Sequence, residues 1–182
     1  LLAYDNKHDE AAIVSFNRLI ELQSNEEEAY FYLAMIAKRQ EKLADAEKYL
    51  SQITDGDRFL SAQIELATLR IKSDRLNQAR QQLAESRQQH PEIASTLYAV
   101  EIELLNNNHF EETAYLLALE ALKQFPNDNL LLFSRALMAD KRQELAQFEL
   151  DMRELLKRDP NNPSYMNAFG YTLADKTDRL AE

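Results

Sequence analysis

Cysteine and tryptophan are absent from this chain, and glycine and proline are scarce: Gly56, Gly170, Pro91, Pro126, Pro160 and Pro163 are all it has. Without cysteine there are no disulfides, thiol nucleophiles or thiolate metal sites, although either a reducing or an oxidising compartment is compatible with that. So few glycines and prolines leave little of the punctuation that hairpins, sheets and Gly-rich phosphate loops require. Long apolar runs are missing too. The leucine-rich run Leu130-Leu131-Leu132-Phe133 is one helical turn and far short of the roughly 20 residues that span a bilayer. Nor is there a basic stripe: the net charge of −10 repels a phosphate backbone, which argues against nucleic acid as a partner.

What is present is 45% apolar and 29% charged residues over 182 positions, enough for one domain with a sizeable core. The chain starts at Leu1 rather than Met and reaches Glu182 inside what reads as a helix pair, so an excerpt of a longer protein is expected. The lack of a signal peptide is then uninformative.

Self-similarity organises the sequence. Ala12, Ala46, Ala79 and Ala114 recur at intervals of 34, 33 and 35, each about four residues before a bulky or aliphatic side chain. Ala34, Ala67, Ile102, Ala136 and Gly170 form a second series at 33, 35, 34 and 34, and Pro91, Pro126 and Pro160 a third at 35 and 34. Proline, lacking an amide hydrogen, closes each unit where one helix stops and the next begins.

Between these markers the apolar spacing is helical, as in Tyr30, Leu33, Ala34 and Ala37, or Met166, Phe169, Gly170 and Leu173. Helices are predicted near 9–22, 26–40, 43–53, 57–72, 75–88, 92–106, 110–124, 128–141, 143–158 and 163–176, after a remnant helix at 1–6. Ser24 with Glu27 reads as a capping box, Asp57 and Asp74 as N-caps, and Asn162-Pro163 as an N-cap followed by proline at the first helical position. Small residues recur because helices that cross closely need them at the crossing point. A lone pair cannot bury its apolar face, so neighbours stack.

Tyr98, Ile102, Leu105, Phe110, Ala114, Ala121 and Pro126, with the phrase Glu120-Ala121-Leu122-Lys123-Gln124-Phe125-Pro126, carry a resemblance to the tetratricopeptide repeat family. The resemblance implies an all-α fold, a right-handed superhelix or solenoid of antiparallel helix pairs. Its units fall at about 1–26 (partial), 27–59, 60–94, 95–128, 129–162 and 163–182 (partial), which makes residues 1–182 a single solenoid of four complete units and two fragments. Departures are Gln63, Arg70, Glu101 and Arg135 on the inner face of the first helices, and Phe148 at a small-residue position. Glu101 and Arg135 hold equivalent places in adjacent units and are expected to form an ion pair, the alternative being that both tips reach water.

Catalytic constellations are lacking. His8, His90 and His109 are far apart and unsupported by cysteine, so no metal or catalytic role is assigned to them; His90, just before Pro91, flanks a helix start. Thr54-Asp55-Gly56-Asp57 lacks the alternating oxygen ligands and closing Glu of a calcium loop and is read as a turn with Gly56 at positive φ. Glu26, Glu27 and Glu28 open a helix, where the dipole favours negative charge. No cofactor is implied, and the chain is not expected to be an enzyme.

The resemblance implies that partners bind the concave wall, lined by one face of each first helix. Rotating off the core face gives Phe31, Met35 and Lys38; Ile64, Thr68 and Ile71; Ala99, Glu103 and Asn106; Phe133, Leu137 and Asp140; and Asn167, Tyr171 and Ala174. Relatives that clamp a terminal carboxylate use Lys, Asn and Arg at such places. Here most are apolar or acidic, so the expected ligand is a protein or peptide segment with spaced apolar side chains, with the alternative that these residues serve only internal packing.

The function expected is an interaction scaffold without catalysis; the alternatives are a regulatory sensor, or the substrate-recognition arm of a larger protein whose effector or catalytic part lies elsewhere. The phrase from Asn167 to Leu180 resembles a segment of bacterial envelope-associated, lipoprotein-like members, which implies a periplasmic or outer-membrane location with any lipid-bearing cysteine upstream of Leu1; the alternative is cytoplasmic. Apolar flanks such as Phe169 and Leu173 at a cut end are expected to allow an artificial homodimer.

Overall fold

In the computed structural model, residues 8–176 are described. Among them are ten α-helices and no strand: α1 Asp9–Glu21, α2 Glu26–Arg39, α3 Leu43–Leu50, α4 Phe59–Lys72, α5 Leu76–Gln89, α6 Ala94–Asn107, α7 Glu111–Gln124, α8 Asn129–Lys141, α9 Leu145–Arg158 and α10 Pro163–Lys176, with a 3-10 turn at Pro91–Ile93 before α6. They pack as consecutive antiparallel pairs, as the all-α reading expects. The remnant helix at 1–6 lies outside the described residues. Two compact units form, Leu1–Ser86 and Arg87–Glu182.

In the first unit, Ala12, Ala29 and Leu33 bury with Phe16 and Ile36 in one cluster, and Ala34, Ala46, Leu50, Ala62 and Leu66 in another. The alanines of both periodic series have essentially no exposure because each sits where a neighbouring helix crosses. Phe16 stacks on Tyr32 with ring centres 5.4 Å apart, fixing α1 against α2. In the second unit, Ile102, Ala114 and Ala136 continue the pattern, and each fully buried leucine such as Leu105, Leu131 and Leu155 contributes about 2 kcal/mol by leaving water. Phe148, at a small-residue position of α9, is fully buried and packs on Phe169 of α10, ring centres 6.0 Å apart.

The turns inside the helix pairs share one device that the sequence hides. Glu41, Asp74, His109 and Gln143 all have φ between 57° and 65°, at the same period as the alanines. In each case the next residue's amide donates back five positions: Lys42 to Ala37, Arg75 to Arg70, Phe110 to Leu105 and Glu144 to Ala139. This Schellman arrangement satisfies the last helical carbonyls without a glycine.

Several helix starts differ from the sequence pattern. No capping box forms at Ser24 and Glu27, because α2 begins at Glu26 behind a left-handed Asn25 with no side-chain cap. Asp57 is not a cap either: α4 starts at Phe59 after Arg58. Asp74 lies in the turn before Arg75, whose carbonyl accepts from Ala79. Asn162 does cap α10, accepting from Ser164 and Tyr165 at 3.1 and 3.3 Å, and Asp128, not foreseen as a cap, accepts from Leu130 and Leu131 at α8. Helix α3 stops at Leu50 rather than 53, since Gln52 and Ile53 turn back onto Tyr49 and Leu50. Gly56 has φ +83°, with the Glu27 carboxylate where a Cβ would stand.

The four polar residues on the inner faces are each partnered by a second helix. Gln63 bonds to Gln82 and Ser86, and Arg70 pairs with Glu47 at 2.8 Å. The expected Glu101–Arg135 pair does not form. Glu101 is held by Arg87 at 2.6 Å, and Arg135 makes a two-pronged pair with Asp151 at 2.8 and 2.6 Å. Arg87 also lies over the Tyr98 ring at 4.0 Å. Buried polar groups are stable only when satisfied, and among the described residues no buried side-chain polar atom lacks a partner.

Candidate functional site

The inner row of first-helix side chains is arranged differently in the two units. In the first, Phe31 and Met35 of α2 are half-buried and packed on the core cluster, and Ile71 of α4 is buried. Thr68 turns its hydroxyl back to the Ile64 carbonyl at 2.7 Å. Lys38 forms an ion pair with Glu65, tying α2 to α4 across the row. Arg58, at the start of α4, lies 5.1 Å over the Phe31 ring and pairs with Glu28 at 2.7 Å, which holds the Glu28 carboxyl below its ordinary value. These side chains are largely committed to one another.

In the second unit α6 lies beside α8, and between them is a cleft of about 550 Å³. That is a size suited to a ligand side chain or small helix segment. Ala99, Glu103, Asn106, Phe133, Leu137 and Asp140 all line it, so the structure brings together the expected residues of both helices. Ala99 forms a buried floor; Leu137 and Leu130 are exposed at the lip. Phe133 is buttressed from behind by Tyr165 of α10, ring centres 5.1 Å apart. Burial raises the Tyr165 phenol above its ordinary range, with Asp159 and Asp128 adding to the effect.

Polar groups close the far end. Lys141 donates to Asn106 at 3.0 Å, linking α6 and α8, and Lys176 of α10 reaches the Asp140 carbonyl and carboxylate at 2.8 and 2.7 Å. Asn167, Tyr171 and Ala174 are exposed on α10 and do not line this cleft. Thr96, Val100, Ser134, Leu130 and Met138 line it without having been foreseen. Thr96 and Leu130 stand 34 residues apart, one turn before Ala99 and Phe133, so extending the same periodic row would have found them. The arrangement offers an apolar seat with a polar end and no catalytic constellation; among the described residues no cluster of metal-ligating side chains forms.

No family model matches the chain. It is 40% identical over 154 residues to a TPR repeat-containing protein of Pseudomonas aeruginosa, an alignment that takes in 85% of this chain. The chain spans 26% of that relative's length.

Proposed function

The chain belongs to the tetratricopeptide repeat proteins, and from that premise we propose that it is a non-catalytic scaffold holding a protein or peptide segment in the α6–α8 cleft. The observation that carries this reading is the cleft itself: an apolar seat of about 550 Å³, built by Ala99, Phe133 and Leu137 at the places where the repeat pattern puts partner contacts. Aromatic anchors such as Phe133 carry a large share of affinity in interfaces of this kind. Affinity capture with the full-length protein, wild type against Phe133→Glu, tests it. The substitution is expected to leave helical content unchanged by circular dichroism and to deplete the captured partner; unchanged capture by a folded variant sinks the assignment.

A regulatory or substrate-recognition role within a larger protein is the second reading, supported by the small share of the relative that this chain spans. A partner-dependent activity in the full-length protein distinguishes it from a plain scaffold. The similarity of the Asn167–Leu180 phrase to envelope-associated bacterial members supports placement in the bacterial envelope. Fractionation of the full-length product between membrane, periplasm and cytoplasm decides that point.

A further inference from the structure

Along its length the α6–α8 cleft passes from apolar to ionic. Its apolar part is set by Ala99, a small residue where the equivalent positions of the other first helices hold the larger Phe31, Ile64, Phe133 and Asn167. One turn further on α6 stands Glu103. The other charged groups at that end are engaged: Asp140 with Lys176, and Lys141 with the Asn106 side-chain oxygen. Glu103 is exposed, and its carboxylate has neither an ion pair nor a hydrogen bond among the described residues.

Resting on the reading of this cleft as a partner site, we infer that its occupant is a protein segment with two features: an apolar side chain seated over Ala99 against Phe133, and a lysine or arginine placed on Glu103. The separation is chemically restrictive. Four residues of α6 advance about 6 Å, a distance matched by positions i and i+4 of a bound helix or by alternate residues of a bound strand. An unpaired carboxylate at the rim rejects an acidic segment and attracts a basic one, and a net charge of −10 steers cationic partners toward the protein.

The test uses the full-length protein and two fluorescein-labelled amphipathic 14-residue peptides, one of leucine and lysine, the other of leucine and glutamate. The leucine–lysine peptide is expected to bind and the other not. Glu103→Lys should weaken the first by about fivefold and strengthen the second, whereas Glu120→Lys, an exposed charge change on α7 outside the cleft, should leave both nearly unchanged. Ala99→Leu fills the seat and should block the first peptide. Circular dichroism confirms that each variant is folded. If Glu103→Lys and Glu120→Lys weaken binding equally, or the acidic peptide binds the wild type as well as the basic one, the charge assignment fails. If Ala99→Leu blocks binding while Glu103→Lys does not alter it, the cleft stands and the basic partner falls. If Ala99→Leu leaves binding intact, the cleft reading itself fails.

Discussion

In the first unit the inner row of α2 and α4 is tied across by Lys38 and Glu65 and filled by Phe31 and Met35; in the second, the matching row of α6 and α8 has Ala99 opposite Phe133 and is left open. The helix pairs are of one kind, so the difference comes from side-chain volume and from where charges find partners. The same contrast runs through the buried polar groups. The first unit satisfies the buried Gln63 with the neutral Gln82 and Ser86, while the second buries the carboxylates of Glu101 and Asp151 against the half-buried Arg87 and Arg135. Breaking a neutral network costs less than leaving a charge without its buried partner.

The largest expected effect follows from that asymmetry. Asp151 is buried and accepts both prongs of Arg135 and a bond from Gln147, and its carboxylate holds the Arg135 pKa above the ordinary value. Asp151→Ala strands the arginine and should cost about 3 kcal/mol, whereas Gln82→Ala in the first unit should cost about 1–2 kcal/mol for its lost bonds. Urea denaturation of the two variants measures the gap. The double change Arg135→Met with Asp151→Leu should recover most of the loss, because two apolar side chains leave no unpaired charge. A double variant no more stable than Asp151→Ala would show that the pair does more than satisfy itself.

Acid and alkali should separate the units next. In the first, Glu47 is held below its ordinary value of 4.5 chiefly by Arg75, with Arg70 assisting, and Glu28 likewise by Arg58. A carboxyl with a depressed folded pKa stabilises above the unfolded value, and that contribution is lost as the pH falls through the folded pKa. Below about pH 4.5 the first unit should therefore lose more hydrogen-exchange protection than the second, where Glu144 is held down in the same way by Arg142, and Glu47→Gln should flatten this dependence. In the second unit burial, helped by Glu144, raises Tyr115, and burial raises Tyr165, above the ordinary 10.0. A raised tyrosine keeps its contribution below pH 10 and loses it as the pH climbs through the folded value, so protection there should fall on the alkaline side. Tyr115→Phe and Tyr165→Phe should blunt that loss. Equal responses of the two units at both extremes would erase the contrast.

What the sequence made readable depended on how local the cause was. Helix existence and the 34-residue period follow from the spacing of residues such as Tyr30, Leu33 and Ala34 within one element. Ala99, Glu103, Asn106, Phe133, Leu137 and Asp140 of the cleft are readable for the same reason, as a periodic row, whereas Thr96 and Leu130 one turn earlier lie beyond the stretch compared. The cavity was not, because it depends on Ala99 being smaller than its neighbours across two helices. The Glu101–Arg135 expectation missed because adjacent first helices are not the only neighbours: Arg87 and Asp151 come from second helices, outside the row being compared. The turns were hidden because Glu41, Asp74, His109 and Gln143 adopt left-handed backbone without the glycine that normally announces it.

The smallest effects test that last point, through the caps. A side-chain oxygen placed next to a helix start in sequence acts as a cap only if it reaches the free amides. Asp128 in the second unit does, with bonds of 2.9 and 3.0 Å to Leu130 and Leu131, so Asp128→Ala should cost about 1 kcal/mol. Ser24 and Asp57 in the first unit look equally suitable on paper and cap nothing, since the chain enters α2 through left-handed Asn25 and α4 through Arg58. Ser24→Ala and Asp57→Ala should then stay within about 0.5 kcal/mol of the wild type. Thermal melts of the three variants rank them, and a loss at Ser24 as large as that at Asp128 would mean that the first unit forms its caps in solution after all, removing one of the differences between the units.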